Sequence, residues 1–399
     1  MPADRIAQML LPLTTKTPLL SFFTGGGFLD MGFEQAGFEV AWTNEFNPEF
    51  AEIYATGVTS WRRSGNRKAE AAAISSINSI ADLNPHKILN DAFPYKAPEV
   101  FGVIGGPPCS DFSVGGLHAG HNGKNGQLTE VYFNMLKALT PSFFLLENVP
   151  HLESHPKHGP MFQALLQKLD AAGYAVVWKK LNSLDFGVPQ DRTRLFVVGF
   201  RKDLLRSWYP NEPFPKRALE KHFEWPESKY PDAKAQYSWP GKDPFKCNTR
   251  KPEEIPVELC VCSALAPNPE TFPNGKEWFN PKSEKFRKIR EGDVSGKSFK
   301  RLHRFRYSPT AWYGNNEVHL HPTKARRLSV REALRLQTVP DSYIMPTEST
   351  LSAKFKVICN GVPFVLATKI AEQIADFIAS GLKSRNHSGN GSGTHNNGR

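Results

Sequence analysis

The chain has 399 residues, 40% hydrophobic and 22% charged, with a formal net charge of +11. These proportions suit a globular chain with enough apolar sequence for one large domain and a smaller one, and the basic balance favours a polyanionic partner. No apolar run reaches the roughly 18–20 residues of a membrane span, and Pro12 breaks the leucines near the N-terminus, so neither a membrane segment nor a signal peptide is expected. Five cysteines (Cys109, Cys247, Cys260, Cys262 and Cys359) form no C-x-x-C pair. That argues against a zinc ribbon, a metal site or a disulfide framework and for a reducing, cytoplasmic setting; Cys260 and Cys262 read as strand packing.

In chain order, Leu19 to Phe23 reads as a short strand ending in Thr-Gly-Gly-Gly. A helical pattern follows from Phe28 to Ala36, closed by Gly37. Val40 to Thr43 is a second strand, and Pro48 opens another helix. Val100 to Ile104 and Phe143 to Leu146 are continuous apolar runs, the pattern of strands buried on both faces. Tyr174 to Lys180 and Leu195 to Phe200 add two more. Strands and helices alternating in this way predict a parallel sheet with right-handed crossovers.

After Arg201 the composition turns to Pro, Lys, Arg and aromatics with weak periodicity, as far as about His321. This predicts a smaller, irregular domain. Lys285, Arg287, Lys288, Arg290, Lys300, Arg301, Arg304 and Arg306 interleave there with Phe286, Phe299, Phe305 and Tyr307. Such a mixture suits contact with phosphates, the plainer alternative being a solvated basic face. Ser329 to Leu336 then reads as a short capped helix. Pro363 starts a longer one whose Ile370, Ile374, Phe377 and Ile378 share a face, with Gly381 after it. From Lys383 the chain is rich in Gly, Ser, Asn and His, and a disordered tail is expected. The expected division is 1–200, 201–325, 326–382 and the tail 383–399.

Four sites carry candidate chemistry. The Gly-rich turn between strand and helix lets a ligand approach the backbone, and Glu45, just past the second strand, can accept from ribose hydroxyls. Gly105-Gly106-Pro107-Pro108-Cys109-Ser110 places a thiol at the carboxyl edge of the sheet on a stiff loop, a position for a nucleophile; an inert buried cysteine is the plainer alternative. Glu147-Asn148-Val149 ends the next strand, where partial burial would make the carboxyl a proton donor, against a plain capping role. Gln190-x-Arg192-x-Arg194 puts two guanidinium groups on one side of an extended segment, suited to an anion or a carbonyl oxygen, against an ordinary surface ion pair.

In this order the pieces resemble the DNA cytosine-5 methyltransferase family, bacterial type. Leu-Leu-Ser-Phe-Phe-Thr-Gly-Gly-Gly-Phe resembles its first cofactor motif, Gly-Gly-Pro-Pro-Cys its nucleophile loop, Leu-Leu-Glu-Asn-Val its acid motif and Gln-x-Arg-x-Arg its base-contacting motif. Residues 327–337 resemble its supporting helix, and Asn360-Gly361-Val362-Pro363 its last motif. Roughly residues 18–200 and 320–380 are covered, while the basic middle is not. The resemblance implies a Rossmann-like α/β fold with a target-recognition domain and S-adenosyl-L-methionine as donor. It implies Cys109 as nucleophile at carbon 6 of a flipped cytosine, Glu147 as proton donor to the ring, Arg194 at the carbonyl oxygen and Arg192 helping to hold the thiolate or a phosphate. It places Phe23, Gly25, Gly27, Glu45, Phe46, Pro107, Leu128, Asn360 and Val362 around the donor, Glu45 on the ribose and Phe46 on the adenine. Residues Ser113 to Gly126 are expected to form a loop that closes over the base.

Double-stranded DNA is the implied partner of a monomeric, nucleoid-associated enzyme, with a companion restriction endonuclease as a further candidate. The sequence departs from the family at Phe28, Ser110 and Asn125, and Ser79 stands where an adenine-contacting Asp is usual. A transfer-RNA cytosine methyltransferase and a catalytically degenerate DNA-binding relative are the rival readings. A generic Rossmann-like oxidoreductase would explain the Gly-rich turn alone.

Overall fold

A computed structural model of the chain describes residues 16–108, 124–156, 159–280, 283–296, 298–310 and 318–389. Six strands form the central sheet: β1 (Pro18–Phe22), β2 (Glu39–Asn44), β3 (Gly102–Gly105), β4 (Phe143–Asn148), β5 (Tyr174–Asn182) and β6 (Thr193–Arg201). Their spatial order is β2-β1-β3-β4-β6-β5. The first four are parallel, whereas β6 runs antiparallel to both β4 and β5. The fully parallel sheet expected from the strand–helix alternation is therefore corrected to a mixed one. The apolar run 195–200 reports burial on two faces and carries no direction. Asn182 pairs directly with Thr193, so the connection is too short for the helical crossover that a parallel neighbour needs.

Side chains alternate between the two faces of the sheet. On one face Leu19, Ile104, Phe143, Leu145, Val198 and Phe200 share a core with the C-terminal helix; on the other Leu20, Phe22, Val103, Phe144, Leu146 and Val197 pack with two internal helices. The helices that matter for the site are α1 (Phe28–Gln35), α2 (Pro48–Gly65), α3 (Lys124–Leu139), α4 (Gly159–Ala171), α5 (Lys202–Trp208), α6 (Pro215–His222), α7 (Val330–Leu336), α8 (Leu351–Asn360) and α9 (Phe364–Gly389). Leu136 and Leu139 of α3 and Leu165 and Leu169 of α4 fill the second face. Ile370, Ile374, Phe377 and Ile378 of α9 fill the first, as their spacing predicts.

The change of composition at Arg201 is not a change of packing. Leu204, Leu205, Trp208, Leu219 and Phe223 belong to the same core as α9. Gly381 lies inside α9 rather than after it, and a Cβ there would sit 2.3 Å from the Trp208 ring. Residues 383–389, expected in the tail, are helical, and Arg385 pairs with Glu99.

Between Phe223 and α7 regular structure is sparse. Two three-residue strands, β7 (Phe299–Arg301) and β8 (Val318–Leu320), pair in parallel. Cys260 and Cys262 sit at two short helical turns, 257–259 and 261–264, which corrects the expected strand. Part of the basic cluster is structural. The fully buried Arg301 guanidinium donates to the carbonyls of Phe286, Ile289, His321 and Lys324. Arg304 is forked onto Glu291, and Arg306 donates to Pro240 O and the Tyr307 hydroxyl. Lys285, Arg287, Lys288 and Arg290 remain exposed.

The entry into α7 is built from buried charge. Ser329 and Glu332 cap each other's backbone, and the Arg326 guanidinium binds both Glu332 oxygens at 2.7 and 2.8 Å.

Candidate active site

The parallel strands β1, β3 and β4 deliver their carboxyl ends to one edge, where ligands of open α/β sheets bind. After β1 the backbone turns sharply. Phe23 has φ 53°, Gly25 φ 57° and Gly27 φ 78°. Gly27 is required twice over, because a Cβ there would also meet Tyr54 and Val58 at 2.7 Å. At Gly25 the nearest atom to a Cβ would be the Phe23 carbonyl oxygen, 4.0 Å away, so that side of the turn is open.

The turn is held from three directions. The Glu45 carboxylate accepts from Gly25 N at 2.8 Å and from Asn47 N at 2.9 Å, tying the end of β2 to the turn. Burial pushes the Glu45 carboxyl up, against the pull of these N–H groups. The Tyr343 hydroxyl donates to Gly26 O at 2.8 Å. Beneath the turn the buried Asp30 of α1 accepts from the Ser21 hydroxyl at 2.7 Å, and burial pushes its carboxyl up to about 7.

Past β2 the chain bridges to a second segment: Asn44 pairs with Ser76, and Glu45 N donates to Ser76 O at 3.2 Å. The next residue on each side is an exposed apolar one, Phe46 at 68% and Ile77 at 53%. Phe46 was legible in the sequence and Ile77 was not; its only signal is an isoleucine in a Ser- and Asn-rich stretch. Ser79 caps the turn 80–82 through Ala81 N at 3.4 Å, so its hydroxyl has a local structural role.

At the carboxyl edge of the sheet, β3 stops at Gly105. Cys109 and Ser110 lie outside the described residues, as does most of the 113–126 segment; Asn125 and Gly126 fall in the first turn of α3. Pro107 is buried, and its carbonyl accepts from Asn148 Nδ2 at 3.5 Å. Glu147 is the penultimate residue of β4 and lies beside Gly106, where a Cβ would stand 2.9 Å from Glu147 Oε2, so a glycine leaves room for the carboxylate. Glu147 Oε1 pairs with Arg194 Nε at 3.0 Å, both side chains nearly buried. Burial pushes the Glu147 carboxyl up, while Arg194 and Arg192 pull it down.

Arg192 is buried more deeply and donates from Nη2 to Asn360 O at 3.3 Å, at the end of α8. Arg194 also donates to Thr193 O at 2.8 Å. Glu147 and Arg194 thus come together directly, and Arg192 ties the same segment to the last motif. Val362, just beyond Asn360, is buried in the first core, and Leu128 is half-buried against the second. Among the described residues no helix is long and apolar enough to cross a membrane.

A mixed sheet with a glycine turn, an acid and an arginine at its carboxyl edge is the Rossmann-like α/β architecture expected from the sequence. The chain belongs to the C-5 cytosine-specific DNA methylase family, whose model matches residues 18–376, and it is a DNA cytosine-5 methyltransferase. It is similar to the Type II methyltransferase M.NmeDI of Neisseria meningitidis serogroup C, 39% identical over 372 residues, covering 91% of this chain and 84% of the relative. It is also similar to M.FnuDI of Fusobacterium nucleatum, 31% identical over 362 residues, covering 90% and 94%. Among solved structures, a DNA modification methyltransferase encoded within a prophage of E. coli superposes with TM-score 0.60 at 21% identity, covering 91% of this chain and all of that one. The S. pombe Dnmt2 methyltransferase gives 0.54 at 14% identity over 91% and 99%. These two likenesses show the fold.

Proposed function

We propose that this enzyme modifies one cytosine within a specific site in double-stranded DNA, using S-adenosyl-L-methionine, as the methylating partner of a Type II restriction endonuclease. The relatives named Type II methyltransferases support that setting. The turn fits the donor. Gly25 leaves its face open, Phe46 and Ile77 offer two exposed apolar surfaces for an adenine, and Glu45 keeps acceptor capacity for ribose hydroxyls beyond its two backbone contacts. Phe23, Gly25 and Gly27 would hold the methionine end, with Pro107, Leu128, Asn360 and Val362 closing the pocket. The bound donor supplies an electrophilic methyl group.

The residues then divide the chemistry. Carbon 5 of cytosine is a weak nucleophile, and addition of the Cys109 thiolate at carbon 6 makes it an enamine carbon. Glu147 protonates the ring nitrogen as charge develops, and Arg194 holds the carbonyl oxygen. Arg192 fixes the segment that carries Arg194. Methylation at carbon 5 is followed by loss of the carbon 5 proton to solvent, departure of the Cys109 sulfur as a thiolate and return of the ring-nitrogen proton to Glu147. The base must leave the helix stack for any of this. The reading unit is residues 226–325, beyond Trp225, which still packs on the sheet core, and the enzyme works as a monomer in the cytoplasm on nucleoid DNA.

The Glu147–Arg194 pair carries this reading, because it holds a carboxyl raised by burial and a guanidinium together beside Gly106. The test is tritiated methyl transfer to duplex DNA and to transfer RNA, with bisulfite sequencing of host DNA to define the site. Duplex DNA is the expected substrate, and Cys109→Ala is expected to abolish transfer while donor binding survives. Transfer by the mutant, or a preference for transfer RNA, would overturn the proposal.

A further inference from the structure

Asp191 lies between Gln190 and Arg192, and three separate parts of the chain converge on it. From the sheet, Asn182 Nδ2 donates to Asp191 Oδ1 at 2.8 Å, while Asn182 Oδ1 accepts from Arg192 N at 3.1 Å. From the turn at 233–236, Lys234 Nζ pairs with Asp191 Oδ2 at 2.8 Å. From the middle region, Thr310 Oγ1 donates to Asp191 O at 2.7 Å. The backbone is engaged as well: Gln190 and Asp191 pair in parallel with Ser308 and Pro309. Each group of Asp191 able to accept is thus committed to a different element. Two of those elements lie in the proposed reading unit and one in the catalytic sheet.

We propose that Asp191 is a positioning residue that couples the reading unit to the base-contacting arginines. Resting on the assignment of Arg194 to the base, it acts through Arg192 and Arg194 and touches no substrate. The exposed Lys234 pair contributes little stability by itself, since its side chain is 56% accessible. Its value is directional. A shift of residues 308–310 or of Lys234, as the reading unit settles on DNA, reaches Arg192 through one residue and one shared asparagine. When the site is wrong, the same linkage holds Arg194 away from the carbonyl oxygen. A misplacement of about 1 Å at a reacting group costs on the order of 100-fold in rate, so small shifts are enough.

The test compares steady-state methylation of the cognate duplex, defined by bisulfite sequencing, with duplexes altered at one base pair. Asp191→Ala is expected to lower kcat on the cognate duplex about 10- to 100-fold with KM for the donor unchanged, and to narrow the ratio of kcat/KM between cognate and altered duplexes. Lys234→Gln, a surface change that leaves folding intact, should narrow the same ratio by a smaller factor. Asp191→Ala combined with Lys234→Gln should be no worse than Asp191→Ala alone, because both remove the Lys234 link. Wild-type kcat and discrimination in the Lys234 and Asp191 variants, or effects that multiply in the double variant, would overturn the coupling. Arg194→Ala serves as the separate control. Full turnover in that variant would overturn the assignment of Arg194 to the base, whereas its loss alongside normal Asp191 variants would refute the coupling alone.

Discussion

Asp30→Asn is a direct probe of the layer beneath the glycine turn. Asp30 is buried, accepts from the Ser21 hydroxyl and faces Tyr54, Glu34 and Arg62; burial raises its carboxyl from 3.8 to about 7. The raised value means that the folded chain binds the proton more tightly than the unfolded one. Stability from this group is therefore complete below pH 3.8 and is lost as the pH rises to about 7, after which nothing more is lost. Three pH units at about 1.4 kcal/mol each give a difference of about 4 kcal/mol. Asparagine has the same shape, still accepts from Ser21 and does not ionise. Relative to wild type the variant should gain stability across pH 4–7 at about 1.4 kcal/mol per unit and then level off. Urea denaturation of both proteins from pH 4 to pH 9 measures this directly. Parallel stability curves would show that Asp30 is equally ionised in both states, and the reasoning would be refuted.

Three further outcomes are expected. Glu147→Gln should lower kcat by about 100-fold or more with donor affinity unchanged; in the wild type kcat should fall as the pH rises through the raised Glu147 value. Arg194→Met should shift that alkaline fall to still higher pH, read from the pH–rate profile, because the guanidinium that pulls Glu147 down is gone. Glu45→Gln should weaken donor binding about 10-fold or more by calorimetry, since one of its acceptors to Gly25 and Asn47 becomes a donor facing a backbone N–H. Arg326→Met should cost about 3–5 kcal/mol in urea denaturation, since it leaves the Glu332 carboxylate buried without its fork.

The sheet edge was readable from sequence because its elements carry local signals. Gly37 ends α1 with φ 94°, Ser329 and Glu332 form the capping box of α7, and the apolar spacing of α9 names the face it buries. Glu147 and Arg194 were legible as candidates, although only the antiparallel pairing of β4 with β6 explains why they meet. What stayed hidden depends on partners far along the chain. Strand direction is absent from a run such as 195–200. Arg301 reads as a phosphate ligand until four carbonyls are seen around it. Gly381 reads as a helix stop until Trp208 is placed against it. The link between Asp191, Lys234 and Thr310 crosses gaps that no periodicity spans.

The hydrogen bond from Tyr343 to Gly26 joins residues 317 positions apart, and Gly32 of α1 meets Ala367 of α9 so closely that a Cβ would come within 2.5 Å. This turn is therefore shored up by segments that leave the ribosome long after it does. Synthesis proceeds from the N-terminus, and contacts this distant in sequence close late. A nascent chain carries the glycines and Glu45 long before it has the tyrosine and the helix that hold them in place. The glycine turn thus gains these supports only after the whole stretch between them has been made.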